Sequence, residues 1–332
     1  MKRKIIRQGH NTLTMTLPSE WVKKLNLNAG DEVDVFEDNG SLLINGKQKN
    51  KFKSTTIDIT GFGVPMLWRF FQGAYREGYD EIKLTYDSNQ KDYEGVYNYY
   101  ATHFEYTRVG EKISKKRAFD MLSELVNRFI GMEIIEHGDG YCVIREMGEI
   151  SSKEFESSLR RIFLLLLDLF DKLINLIRNN EIGDMTICKT IHNMDINIDR
   201  FIDYCCRINN KIKDSTFQKN KPIMFSTLYI LELLGDEFKY IGTHLAKSNK
   251  KVDEILDFAE RIKEHFEMYY HLFYKFNREE VIKFGENDFR IYNEHFKWRE
   301  SKNKDVQSIR RHLMQISKFV FVLMELRIEM EF

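Results

Sequence analysis

The apolar positions of this chain fall into two regimes. Before residue 151 they come in short alternating or β-branched runs broken by glycine-containing turns, whereas from Ser151 onward they recur every three or four residues over long stretches. A period of two places side chains on one face of a strand, and a period near 3.6 places them on one face of a helix. Phe155, Leu159, Ile162, Leu166, Leu169, Leu173 and Leu176 therefore predict a first long helix. Ile187, Ile191, Met194, Ile198, Phe201, Cys205 and Ile208 predict a second, and Leu228, Leu231, Gly235, Phe238, Gly242 and Leu245 a third, with loops near Asn180 and Lys213. The plan then repeats. Val252, Ile255, Ala259, Ile262, Phe266, Tyr269 and Phe273 are in phase, a fifth segment runs from Glu279 to Arg299, and Val306, Ile309, Leu313, Ile316, Val320 and Leu323 close the set. Such seams belong to a helical bundle, here two sets of three helices.

Ahead of the helices, Lys2 to Gln8, a Gly9 to Asn11 turn and Thr12 to Leu17 read as a hairpin. Pro18 opens a short helix, Ser19 to Leu25, whose Trp21, Val22 and Leu25 share a face, and a turn with two more strands follows. So small an apolar area cannot readily fold alone, which predicts dimerisation. Asn45 to Ser54 carries four lysines and no acid; it is a linker or a second phosphate-touching segment, the linker being the simpler reading. Thr55 to Thr60, Met66 to Tyr75, Glu81 to Tyr86, Ala118 to Phe129 and the pair Met132 to Glu136 with Tyr141 to Arg145 read as strand, helix, strand, helix and hairpin. The "GFG" ahead of the first of these helices lacks the further glycines and the Lys-Ser/Thr of a phosphate loop. The expected organisation is 1–50, 54–150, 151–248 and 249–332.

Composition narrows the function classes. Lysine plus arginine (51) equals aspartate plus glutamate (51), so the whole molecule demands no polyanionic partner. Residues 1 to 53 nonetheless hold ten basic residues against six acids, and Lys2, Arg3, Lys4 and Arg7 precede any acid. Four cysteines without a regular spacing are expected to be reduced thiols. No apolar signal segment follows Ile5 and Ile6, and the most apolar run, Ile162 to Phe170, is interrupted by Asp168. A cytoplasmic protein without membrane insertion is expected.

Within the helical part, Asp195 with Asp199 and Glu232 with Asp236 stand four residues apart on successive helices. That spacing puts each pair on one face. Asp253 with Asp257 and Glu260 with Glu264 share the spacing, but their phase places them on the outer face, whereas the first two pairs occupy equivalent flanks of the seam. Four converging carboxylates want a cation, and oxygen-only ligands favour hard or borderline metal ions. The alternative is a solvated acidic flank balanced by lysine and arginine. Ferritin-like oxidase chemistry needs Glu-x-x-His, and none of the nine histidines has glutamate three residues before it. No enzyme is expected.

Two resemblances sharpen this picture. "GHNTLTMTLPSEWVKKLNLNAGDEVDVFEDNGSLLI" resembles the AbrB/SpoVT swapped-hairpin DNA-binding domain, in which two protomers interleave strands and basic residues of the first strand and its turn contact DNA. The resemblance implies Lys2, Arg3, Lys4, Arg7, Gln8, His10 and Asn11 as DNA-binding residues; a dimerisation module with a merely solvated basic strand is the plainer alternative. "NMDINIDRFIDYC" and "LELLGDEFKYIGTHL" resemble the signatures of the first repeat of PhoU proteins. This implies Asp195, Asp199, Glu232 and Asp236 as ligands of a divalent or iron-type metal ion cluster; Asp203, one turn past Asp199, either assists them or is an exposed acid, the exposed acid being the simpler reading. In the sixth segment the matching positions are Met314 and Lys318, so the second repeat is expected to be degenerate. The combination resembles the archaeal type of phosphate-uptake regulator. The expected fold is multidomain α+β: an N-terminal swapped-hairpin β domain, a small α+β domain and a mainly-α PhoU-like pair of three-helix bundles. The expected function is a DNA-binding, metal-binding, non-catalytic homodimeric regulator of phosphate homeostasis, with a promoter as partner. The alternative is an adaptor acting on a phosphate transporter or sensor protein, with the N-terminal domain only dimerising.

Overall fold

Gly9, with φ of +77°, makes the first turn of the chain. In the computed structural model β1 (Ile5–Gln8) pairs antiparallel with β2 (Thr12–Met15), Ile5 opposite Met15 and Gln8 opposite Thr12. A short helix α1 (Ser19–Lys24) follows Pro18, and β3 (Val33–Asp38) pairs antiparallel with β4 (Ser41–Gly46). The structure describes residues 2–9, 11–38, 41–46, 52–87, 92–94, 115–148, 150–212, 220–298 and 301–332. They form two compact units, Met1–Phe52 and Lys53–Phe332. Among the described residues of the first unit none is buried, and Ile5, Ile6, Leu13, Met15, Val35 and Leu42 face solvent. Trp21, Val22 and Leu25 of the short helix are half-buried, as their spacing implies.

The second unit begins with a strand-helix-strand crossover. β5 (Ser54–Asp58) runs parallel to β6 (Glu81–Thr85) and is joined to it through α2 (Val64–Arg76). Pro65 stands in the first turn of α2, where a missing N–H costs nothing. After the short pair β7 (Asp92–Glu94) and β8 (Lys115–Arg117), α3 (Ala118–Val126) leads to the hairpin β9 (Met132–Gly138) and β10 (Tyr141–Glu146), turned at Gly140 with φ of +79°. The sheet order is β5-β6-β10-β9. Leu67, Phe71 and Tyr75 of α2 and Met121, Leu122 and Leu125 of α3 share one core with Ile82, Leu84, Cys142 and Ile144 of the sheet. Most of the Tyr-rich stretch 87–116, the tip of the lysine-rich linker and the 213–219 connection lie outside the described residues.

A capping box, Ser151 with Glu154, starts the helical region at α4 (Ser152–Arg178). Then follow α5 (Thr186–Lys211), α6 (Lys221–Lys247), a 3-10 turn, α7 (Leu256–Tyr274), α8 (Arg278–Lys297) and α9 (Lys304–Glu329). Asn277 and Asn303, which accept from first-turn N–H groups, start the last two. All seven predicted seam residues of α4 are buried, each worth roughly 1.5–3 kcal/mol against exposure. The buried side chains of all six helices form one continuous cluster, because α6 packs against both α5 and α9, so the two sets of three merge into a single core. The four cysteines are buried and free. Among the described residues no helix is long and apolar enough to cross a membrane.

The α+β part is pinned to this core through the end of α2. Arg207 of α5, fully buried, donates from Nη1 to the Tyr75 carbonyl at 2.7 Å and from Nη2 to the Tyr79 carbonyl at 2.8 Å, and its Nε reaches Glu146 at 3.0 Å. Helix α2 thus ends with its Tyr75 carbonyl taken up by a cation, as the helix dipole prefers, and the turn after it is held at the Tyr79 carbonyl. Lys211 adds ion pairs to Asp80, at 2.5 Å, and to Glu146. Through this junction α2 delivers Arg76 to the acids of α5 and α6.

Candidate functional site

The basic strand is open. Lys2, Arg3, Lys4, Arg7, Gln8 and Asn11 are all exposed, and His10 lies outside the described residues. Pairing of β1 with β2 fixes Arg7 opposite Leu13, so Arg7 stands on a short ribbon two strands wide. Lysine and arginine side chains presented this way neutralise phosphates without reading sequence.

The acid pairs are brought together along the contact of α5 with α6, Asp195 in the core and Asp199, Glu232 and Asp236 half-buried beside it. Asp195 of α5 is 1% exposed. Its Oδ2 meets the Lys239 ammonium of α6 at 2.6 Å, and the same ammonium pairs with Asp236. Asp199, one turn along, is half-buried, and its Oδ1 is sealed from solvent without a hydrogen-bond partner. Asp203 is buried rather than exposed, and with Glu232 it is held by Arg76: Nη2 lies 2.9 Å from Glu232 and Nε 2.5 Å from Asp203. Gln72 donates to Asp203 at 3.0 Å, and the Arg76 guanidinium lies over the Tyr229 ring.

Close helix approach is what buries these charges. A Cβ on Gly235 would stand 2.9 Å from Asp195 Oδ1, and one on Gly242 would strike Ile191. Two glycines a heptad apart on α6 let α5 come in, and they place Asp195 against the backbone of its neighbour. The outer-face pairs behave differently: Asp253, Asp257 and Glu264 are exposed, and Glu260 pairs with Arg178.

The electrostatics follow from burial. Loss of solvent pushes Asp195 up to about 6, with Lys239 opposing and Asp236 adding to the rise. Asp199 is pushed up as well, by burial and then by Asp195. Asp203 rises to about 6, burial again outweighing Arg76. His192, two turns before Asp199, falls to about 4 because burial and Lys239 disfavour its cation. Burial works against the Lys239 charge too, but Asp195, Asp199 and Asp236 outweigh it and raise its pKa.

The spacing located the acids but not their partners. Lys239 is a cation three residues after Asp236, yet nothing local distinguishes it from other surface lysines. Arg76 and Gln72 arrive from a helix more than a hundred residues away, for which no sequence signal exists. Among the described residues no three His, Cys, Asp or Glu side chains are arranged to hold a metal ion together, since the Lys239 ammonium stands between Asp195 and Asp236. The donor set itself, carboxylate oxygens among which Asp195 Oδ1 and Asp199 Oδ1 are buried without a hydrogen-bond partner, is the chemistry of a hard ion.

No curated protein and no solved structure matches the chain. One family model does, that of the MazE bacterial antitoxin, described as antidote-toxin recognition, over residues 6–52. Domains of this MazE/AbrB type bind DNA and dimerise. An open basic strand and, among the described residues of the unit, exposed apolar side chains with none buried fit that arrangement, and the N-terminal unit is accordingly similar to a swapped-hairpin DNA-binding domain of the MazE/AbrB type, which at the coarse level supports a DNA-binding regulator.

Proposed function

We propose that the protein is a homodimeric, non-catalytic transcriptional regulator of phosphate uptake and homeostasis, in which the N-terminal domain binds promoter DNA and the helical region carries the regulatory input. The observation that carries the reading is the exposed basic strand, Lys2 to Gln8, on a unit similar to MazE/AbrB-type domains and lacking a buried core among its described residues. Support for the phosphate assignment is narrower and lies in the "ELLGD" stretch, whose Glu232, Gly235 and Asp236 face Asp195 and Asp199. A divalent or iron-type ion would be held by Asp195, Asp199, Glu232 and Asp236 in place of the Lys239 ammonium. Its role there is structural or sensory, joining α5 to α6. A transporter or sensor protein is a further partner on the same reading.

Fluorescence anisotropy on promoter DNA of the phosphate-transport genes tests it. The dimer should bind that DNA well above random DNA, and Arg3→Ala/Arg7→Ala should weaken binding and lower the salt slope by about 0.9 for every phosphate no longer neutralised. Equal binding to promoter and random DNA at moderate salt would remove the DNA half. A variant that loses DNA binding but keeps its regulatory activity would instead select the adaptor.

A further inference from the structure

Arg310, in the second turn of α9, forms one wall of a cleft at the end of α8. The cleft measures about 380 Å³ and is lined by His295, Trp298, Gln307, Arg310 and Arg311. Arg310 is 2% exposed, and its guanidinium lies 3.8 Å from the centre of the Phe258 ring and 4.6 Å from that of Trp298. Neither its Nε nor its Nη2 has a hydrogen-bond partner. Among the described residues the carboxylate facing it is Glu294, 4.0 Å from Nη2 and already in an ion pair with Arg261 Nε at 3.1 Å through its other oxygen. The Nδ1 of His295 is likewise buried without a partner.

These groups do not balance one another. Taking a guanidinium out of water is costly even after relaxation, and aromatic faces return only a small part of that cost. Burial pulls the Arg310 pKa down, and Glu294 offsets this only in part. Arg311, exposed at the mouth, donates once to Ser308 at 3.1 Å and keeps its other N–H groups. Gln307 is tied back to the Ser301 carbonyl, so it shapes the cleft. Among the described residues the wall thus offers one buried and one exposed guanidinium and an imidazole, against one carboxylate that is shared with Arg261. A carboxylate ligand would meet one arginine and leave the other idle. A phosphate group, with up to two negative charges and oxygens on several sides, matches the whole set.

We propose that this cleft binds a phosphate group, free or carried on a small ester, with Arg310 as its buried anchor and Arg311 and His295 as supporting donors. Binding lies in the second set of helices, away from the acids of α5 and α6, and requires neither DNA binding nor a metal ion. It gives the degenerate set a role that its missing acids leave open.

The test uses the full chain in chloride buffer, with inorganic phosphate titrated in and the emission of Trp298 followed; Trp298→Phe identifies that signal among the three tryptophans. Equilibrium dialysis with labelled phosphate measures binding independently. Saturable binding is expected, weakened at least tenfold in Arg310→Met, the loss expected for a charge-assisted hydrogen bond of about 1.5–3 kcal/mol. Arg311→Gln, a surface change that leaves the core intact, should weaken it by a smaller factor and decides the matter should Arg310→Met not fold. Glycerol phosphate or a nucleoside monophosphate binding tighter than inorganic phosphate identifies an ester as the ligand; the reverse order identifies free phosphate. No saturable phosphate binding by the wild type, acetate binding as well as phosphate, or unchanged affinity in Arg311→Gln would each overturn the proposal.

Discussion

Replacing Lys239 by methionine probes the acid cluster directly. The substitution keeps most of the side-chain volume and removes the ammonium that faces Asp195, 1% exposed, and Asp236. Removing one partner from a buried ion pair costs about 3–5 kcal/mol, because the other charge is left uncompensated. That cost applies only while the carboxylates are ionised. Asp195 has its pKa raised from 3.8 to about 6 and Asp199 is raised too, so protonation of the folded state is favoured and stability is fully present below about 3.8. It is lost as pH rises through the folded values. Without Lys239 those values climb further, and the loss extends through neutral pH. Urea unfolding followed by circular dichroism should therefore show Lys239→Met destabilised by about 3–5 kcal/mol at pH 7 but by only about 1 kcal/mol near pH 4.5, where neutral carboxyls no longer need the cation. Asp195→Asn/Lys239→Met should recover much of the deficit at pH 7, since an amide carries no charge to bury. Elemental analysis adds a second readout: with the ammonium gone, bound divalent metal should rise above the wild-type level, and Asp199→Asn/Asp236→Asn should carry less. A deficit equal at the two pH values, with no recovery in the double variant, would refute the electrostatic account of the cluster.

Gly235→Ala should destabilise the chain, even though alanine is the better helix former by about 1 kcal/mol. Its Cβ would come within 2.9 Å of Asp195 Oδ1, a short side chain pinned by Lys239, and overpacking of this kind costs about 1–3 kcal/mol; a rise in melting temperature would contradict it. Leu13→Asp places a charge on an apolar position that is 66% exposed in the single protomer. Covering a leucine on each of two protomers is worth roughly 3–6 kcal/mol per dimer, so sedimentation should show association weakened about a hundredfold or more, and an unchanged dimer would mean that this face lies outside the interface.

Periodicity and charge, both local properties, are enough to set the elements and their inner faces. Seam residues from Phe155 to Leu323 repeat with a period that only a helix satisfies, and the same phase separates Asp195, Asp199, Glu232 and Asp236 from the exposed acids at Asp253, Asp257 and Glu264. The basic strand is legible for the same reason. What meets those acids is fixed only in three dimensions. Arg76 reaches Asp203 and Glu232 from α2 only because Arg207 and Lys211 pin the end of that helix to α5. Whether the six helices form two cores or one depends on α6 packing against α9 as well as α5, a choice that periodicity leaves open since either neighbour buries the same stripe. The buried Arg310, whose Nε and Nη2 lack hydrogen-bond partners, is invisible in the sequence for a related reason. An arginine in a charged segment reads as solvated, and only the packing of Phe258 and Trp298 around it takes it out of water. Local periodicity reports which face a residue occupies; the partners waiting on that face are set by contacts distant in sequence.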